Sequence, residues 1–199
     1  MMWGTDMEEI EIEIKQASLE DAETILRLQM QAYLSEAEIY NDYSIPPLIQ
    51  SFNDIKQEFL QQVFLKAIQK RNENEKEVEE EARIIGSVRA HLEKGTTYIG
   101  RLIVKPEYQN RGLGTRLLYA IEEHFKLANR YELFTGDKSA RNLHLYKKLG
   151  YHEFKRIHVN DQITMVFLEK FNQNYHNNKT IKNVFSNIFS NIRKKDVFN

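Results

Sequence analysis

Cysteine is absent from the 199 residues, so disulfides, thiolate metal sites and a cysteine nucleophile are all excluded. A chain built this way suits a reducing compartment, and the cytoplasm is its expected location. Proline and glycine are scarce, at 3 and 8; with 41% hydrophobic and 29% charged residues, the composition is that of one domain with a short appendage. Long apolar runs are missing too: none reaches 18 residues, and the opening MMWGTDMEEIEIEI has no basic stretch leading into an apolar one. Secreted and membrane-spanning classes are therefore not expected. Nor is there an excess of positive charge, since 28 basic residues face 29 acidic ones. The balance is uneven, because residues 172–199 carry five basic side chains against one acidic and the remainder is net negative. An acidic body has no electrostatic footprint for nucleic acid and would more readily draw a small cationic substrate.

Along the chain, Ile10, Ile12 and Ile14 alternate with charged residues, which predicts a half-buried strand. Ser18 to Asp21 resembles a capping box, and Ala22, Ile25, Leu26, Gln29 and Tyr33 recur at helical spacing. From 35 to 52 the pattern is irregular around Pro46 and Pro47, reading as a loop or broken helix. Helical spacing returns at Ile55, Phe59 and Leu60, and a strand starts near Val63. Residues 71–81 hold six glutamates and read as a solvated hairpin loop; a cation-binding patch is the other reading. Strands are predicted over 84–92, 97–104, 131–136, 151–157 and 163–170, with helices over 114–128 and 140–149. The order β-α-α-β-β-β-α-β-α-β-β is that of an α+β, or mixed α/β, domain.

The most informative stretch is LIVKPEYQNRGLGTRLL, 102–118. A strand ends at a proline turn, and Gln109-Asn110-Arg111-Gly112-Leu113-Gly114 leads straight into a helix. The free N–H groups and positive dipole end of a first helical turn can hold a phosphate or pyrophosphate. Glycine lets such a group approach without meeting a Cβ, and Arg111 and Arg116 can add charge at the rim. Alone, the pattern reads equally as a turn glycine and a helix cap. It does not match the nucleotide-binding fingerprints, having neither Gly-Lys-Ser/Thr nor a six-residue GxGxxG.

With its preceding RLIVKPEY, this segment resembles the cofactor motif Q/R-x-x-G-x-G/A of the GNAT superfamily of N-acetyltransferases. Downstream, NLHLYKKLGY at 142–151 is similar to the family's N-x-x-x-Y-x-x-x-G-Y/F. The resemblance covers about 10–170. It implies a GNAT-like acyl-coenzyme A N-acyltransferase fold, a central mixed, mostly antiparallel sheet of about seven strands with about four helices, spanning 10–171. It further implies acetyl-coenzyme A as acetyl donor, no metal, and direct attack of an amine on the thioester. The pantetheine arm would pair with the edge formed by Leu102, Ile103 and Val104. The pyrophosphate would rest on the amides of about Arg111, Gly112, Leu113, Gly114 and Thr115, with Gln109 and Asn110 of the same motif also binding the cofactor. Asn142 would bond the arm or phosphate region, an amide near Val104 would polarise the carbonyl, and Tyr146 would protonate the departing thiolate. A non-catalytic acyl-coenzyme A binding or sensing module on the same fold is the alternative reading.

The acceptor would be a small-molecule or peptide amine, or a protein amino group. Tyr33, Glu36, Tyr40 and Arg101 are the candidate acceptor contacts, with Glu38, Asp42, Tyr43 and His91 as further candidates; an acidic, tyrosine-containing lid would suit a cationic amine. Residues 172–199 hold eight asparagines, yet Ile181, Val184, Phe185, Ile188, Phe189 and Ile192 form one apolar stripe. This predicts an amphipathic helix over 180–194 docked on a protein surface, either its own domain or a second copy in a homodimer, with a membrane the less favoured partner.

Overall fold

The computed structural model describes residues 11–70 and 83–173. Ile10, the acidic run 71–81 and the helix expected over 180–194 lie outside the described residues. Strand β1 (Ile12–Gln16) leads into helix α1 (Ala22–Tyr40). The helix start is fixed by Asp21, whose carboxylate accepts from the Ser18 amide at 2.7 Å and from Lys66 Nζ at 2.7 Å. That ion pair is buried and ties the helix to the sheet.

The chain was expected to become irregular at Ser35, but α1 continues to Tyr40 and stops at Asn41, which takes the left-handed conformation at φ 49. Ala37 and Tyr40 extend the buried stripe by four and seven positions beyond Tyr33, which sustains the helix there. Then comes a single turn, α2 (Pro46–Ile49), and α3 (Phe52–Phe59), started by a capping box in which Ser51 and Asp54 satisfy each other's backbone amides. The single turn α2 raises the helix number to five.

Next in order are β2 (Val63–Gln69), β3 (Ile84–Glu93), β4 (Thr96–Val104), α4 (Leu113–His124), β5 (Arg130–Gly136), α5 (Ala140–Lys148), β6 (His152–Asn160) and β7 (Ile163–Phe171). They form one seven-stranded sheet in the order β1-β2-β3-β4-β5-β7-β6. Every pairing is antiparallel except β4 with β5. One face is covered by α1 and α3, where Ile25, Leu28 and Ile55 meet Phe64 and Ile103. On the other face Leu113, Leu117 and Ile121 of α4 and Tyr146 of α5 meet Val88, Leu133 and Leu168. Gly86 admits Leu117, since a Cβ there would lie 2.9 Å from its Cδ1.

The parallel pair is short. Thr96 to Tyr98 face Arg130 to Glu132, and beyond that the strands part. Arg130 clamps the closed end, donating to Glu169 at 2.7 Å, Glu132 at 2.8 Å and Thr96 Oγ1 at 3.2 Å. On its other side β4 carries a bulge: Arg89 and Ser87 of β3 face Gly100 and Ile103, and Arg101 in between has φ 49. No helix among the described residues is long and apolar enough to cross a membrane.

Candidate active site

The parting of β4 from β5 opens a cleft of about 660 Å³ that continues beneath α2 and along the starts of α4 and α5. Lys105 donates to Ile85 at 2.8 Å, so antiparallel alternation turns the backbone of Val104 away from β3 and toward the gap. Leu102 shares that orientation, while Ile103 has its backbone toward β3 and its side chain in the core. Gln109 folds back so that Nε2 donates to the Val104 carbonyl at 2.9 Å, and its Oε1 accepts from Arg141. Its side chain therefore fastens the turn at the cleft wall.

Asn110 at φ 59 and Gly112 at φ 79 both take left-handed conformations that swing the chain into α4. The first helical bond recorded there runs from the Arg116 amide to the Gly112 carbonyl at 3.1 Å, and no side chain caps the helix start. The amides of Leu113, Gly114 and Thr115 precede that bond. A Cβ on Gly112 would meet nothing within 4 Å, whereas one on Gly114 would touch Leu145 at 3.5 Å. Arg111 is exposed and lies over the Tyr108 ring at 5.9 Å; Arg116 is committed to the Ile12 carbonyl at 2.7 Å.

On α5, Asn142 and Tyr146 both line the cleft. Tyr146 is buried, and its hydroxyl has no hydrogen bond among the described residues. Burial, with lesser contributions from Tyr33 and Glu36, holds its pKa well above the usual tyrosine value. Glu36 reaches across from α1, and its Oε1 accepts from Ser139 Oγ at 2.7 Å and Asn142 Nδ2 at 3.2 Å. Ser139 stands at the N-cap of α5 but makes no side-chain cap bond, because its hydroxyl donates to Glu36. Tyr40 accepts from the Lys138 amide at 2.7 Å and donates to Asp137 at 3.3 Å, with its pKa pushed up to about 12, mainly by burial. Asp42 is held by the Ser44 amide and hydroxyl at 2.8 and 2.6 Å. Tyr33 and Arg101 lie together, the guanidinium 5.6 Å from the ring centroid. Glu38, Tyr43 and His91 are outside the cleft lining, His91 being stacked on Tyr98 at 5.2 Å.

Gln29 was read only as a position on the α1 stripe. It is fully buried, and Nε2 donates to the Pro47 carbonyl at 2.9 Å and to Gln50 at 2.8 Å, which fixes α2 over the cleft. A buried polar residue on an apolar stripe was the available signal, but nothing local identifies a partner 18 positions away. Taken together, an unpaired strand edge, three uncapped helix amides and open space above Gly112 fit an extended, diphosphate-bearing coenzyme. Among the described residues no three His, Asp or Glu side chains are grouped to hold a metal.

Comparison with known proteins agrees with this geometry. A curated relative, UPF0157 protein YqkA of Bacillus subtilis (strain 168), is 27% identical over 138 residues, 68% of this chain; the match spans 36% of that relative's length. Among solved structures, the PaiA N-acetyltransferase of Thermoplasma acidophilum in complex with coenzyme A superposes with a TM-score of 0.63 at 20% identity, covering 81% of this chain and 99% of that one. The ribosomal-protein-S18-alanine N-acetyltransferase of Escherichia coli gives 0.58 at 13% identity over 80% and 92%. These two likenesses establish the fold. Residues 34–151 match the acetyltransferase (GNAT) family, and with the parted strands and the Gly112 turn in place the chain belongs to that family of acyl-coenzyme A transferases.

Proposed function

We propose that the chain moves the acetyl group of acetyl-coenzyme A directly onto a primary amine, with Tyr146 as general acid. The observation that carries this reading is the meeting, in one cleft, of a β4 edge, an α4 start and a Tyr146 hydroxyl that, among the described residues, have no strand partner, no side-chain cap and no hydrogen bond. When bound, the donor supplies a thioester carbonyl and a thiolate leaving group. Val104, its backbone turned to the gap, offers an amide for the carbonyl oxygen as charge builds there. Tyr146, like any tyrosine whose pKa is not lowered, is protonated at neutral pH, and burial raises its pKa further, so it has a proton to give the departing sulfur. The two solved neighbours are named as N-acetyltransferases, which supports an amine acceptor here. The absence of cysteine suits a cytoplasmic enzyme.

The test is release of free coenzyme A from acetyl-coenzyme A with a panel of amines, for the native protein and Tyr146→Phe. The substitution should lower kcat by about a hundredfold while leaving the donor KM within a few-fold. Unchanged kcat, with chemistry shown to limit the rate, would remove the general-acid role. Donor binding without release for any amine would favour a sensing module.

A further inference from the structure

We infer that the acceptor carries a carboxylate as well as its amine, and that Arg101 selects it; this rests on the acyl-transfer reading above. The charged groups on the α1 side of the cleft differ in one respect. Glu36 is engaged by Ser139 and Asn142, and Asp42 by Ser44, so the acids expected to greet a cationic amine already have donors. Arg101 has no carboxylate partner among the described residues, and its Nε is buried without a hydrogen-bond acceptor. Among the described residues, the contact made by its guanidinium is with the Tyr33 ring, 5.6 Å away.

The neighbouring strand shows how this fold treats an arginine it buries for structure. Arg89 is 5% exposed, is paired with Glu58 at 2.5 and 3.1 Å, and lies over Phe64 at 5.4 Å. Arg101 lines the cleft and has no such acid among the described residues. It also occupies the left-handed conformation at φ 49, where a side chain is unfavourable, although Gly100 precedes it. A strained backbone and an uncompensated cation at one cleft residue are features tolerated where a ligand requires them.

One guanidinium matches a monoanion, and its planar fork fits the two oxygens of a carboxylate. Arg101 and Val104 are three positions apart on β4, at most about 10 Å of strand. An amine and a carboxylate on one molecule of amino-acid or dipeptide size span that interval.

The experiment titrates free amino acids and dipeptides, each against its C-terminal amide, into the protein saturated with coenzyme A, and reads binding by calorimetry. Native protein should bind at least one acid about tenfold or more tighter than its amide. Arg101→Gln and Arg101→Gly should remove that difference; glycine accepts φ 49 without strain and keeps the fold. A panel in which no acid binds better than its amide, or a preference that survives both substitutions, overturns the inference. Coenzyme A release from acetyl-coenzyme A with the same compounds separates the two readings. Equal turnover of acids and amides leaves acyl transfer standing without Arg101 selectivity. Arg101-dependent binding without release leaves the carboxylate site standing and removes acyl transfer.

Discussion

Two glycines two positions apart, Gly112 and Gly114, have different reasons for being glycine. Gly112 needs its left-handed φ of 79, and a Cβ there would project into the open space beside the helix amides. Gly114 is helical, and a Cβ would rest on Leu145 in ordinary contact. Gly112→Ala should therefore cost about 1–2 kcal/mol of stability and weaken coenzyme A binding. Gly114→Ala should be neutral or stabilising by up to about 1 kcal/mol. Urea unfolding and coenzyme A titration of both variants check this, and equal destabilisation would contradict it. In the sequence the two positions look equivalent, because the motif records residue type and not φ. Tyr40 shows the same limit: its tyrosine-rich surroundings suggested a substrate contact, but the Lys138 amide it bonds is 98 positions away. Asn142 and Tyr146 were reached through the resemblance of 142–151 to a family motif, and a spacing of four on one helix lets both line the cleft.

At the scale of elements, the width of the cleft depends on where β4 and β5 stop pairing, and Arg130 marks that point. Replacing it by methionine leaves Glu132 and Glu169 without this cation and should cost about 1–3 kcal/mol. A fall in the urea midpoint with an unchanged m-value would confirm a local clamp, and no change would show that the strands hold their divergence unaided. The strands themselves were largely readable, since alternation and the turns at Gly95 and Pro106 are short-range signals. The end of α1 and the turn α2 were not. Ala37 and Tyr40 continue the α1 period but are too few to stand out before the irregular stretch 41–52, and α2 depends on Gln29 binding the Pro47 carbonyl, a tertiary bond that leaves no local pattern. Asn172, read as the first residue of an extension, is buried and donates to the Lys126 and Ala128 carbonyls at 2.8 and 2.9 Å, closing the loop after α4.

For the whole molecule, buried tyrosines set the behaviour at high pH. Tyr40 and Tyr131 are raised from 10.0 to about 12, chiefly by burial, and Tyr146 and Tyr151 are raised further. Each binds its proton more tightly folded than unfolded. Stability from this source is complete below pH 10 and is lost as pH climbs through the folded values, so the urea midpoint should be level up to about pH 9.5 and then fall. A midpoint that stayed constant to pH 12 would show that these hydroxyls ionise without unfolding. The mixed, mostly antiparallel sheet of about seven strands could be anticipated from the family resemblance, whereas its hydroxyl and carboxylate partners are long-range. The parting of β4 from β5 has a further consequence, seen in isotope exchange. Amide protons of a sheet are ordinarily slowest at its centre and fastest at its rims. Here the Val104 amide lies on the middle strand yet faces a gap, while Lys105, one residue on, is bonded to β3. Slow and fast protons therefore alternate over the end of the innermost strand where β5 has left it, and that part of the sheet interior exchanges like an edge.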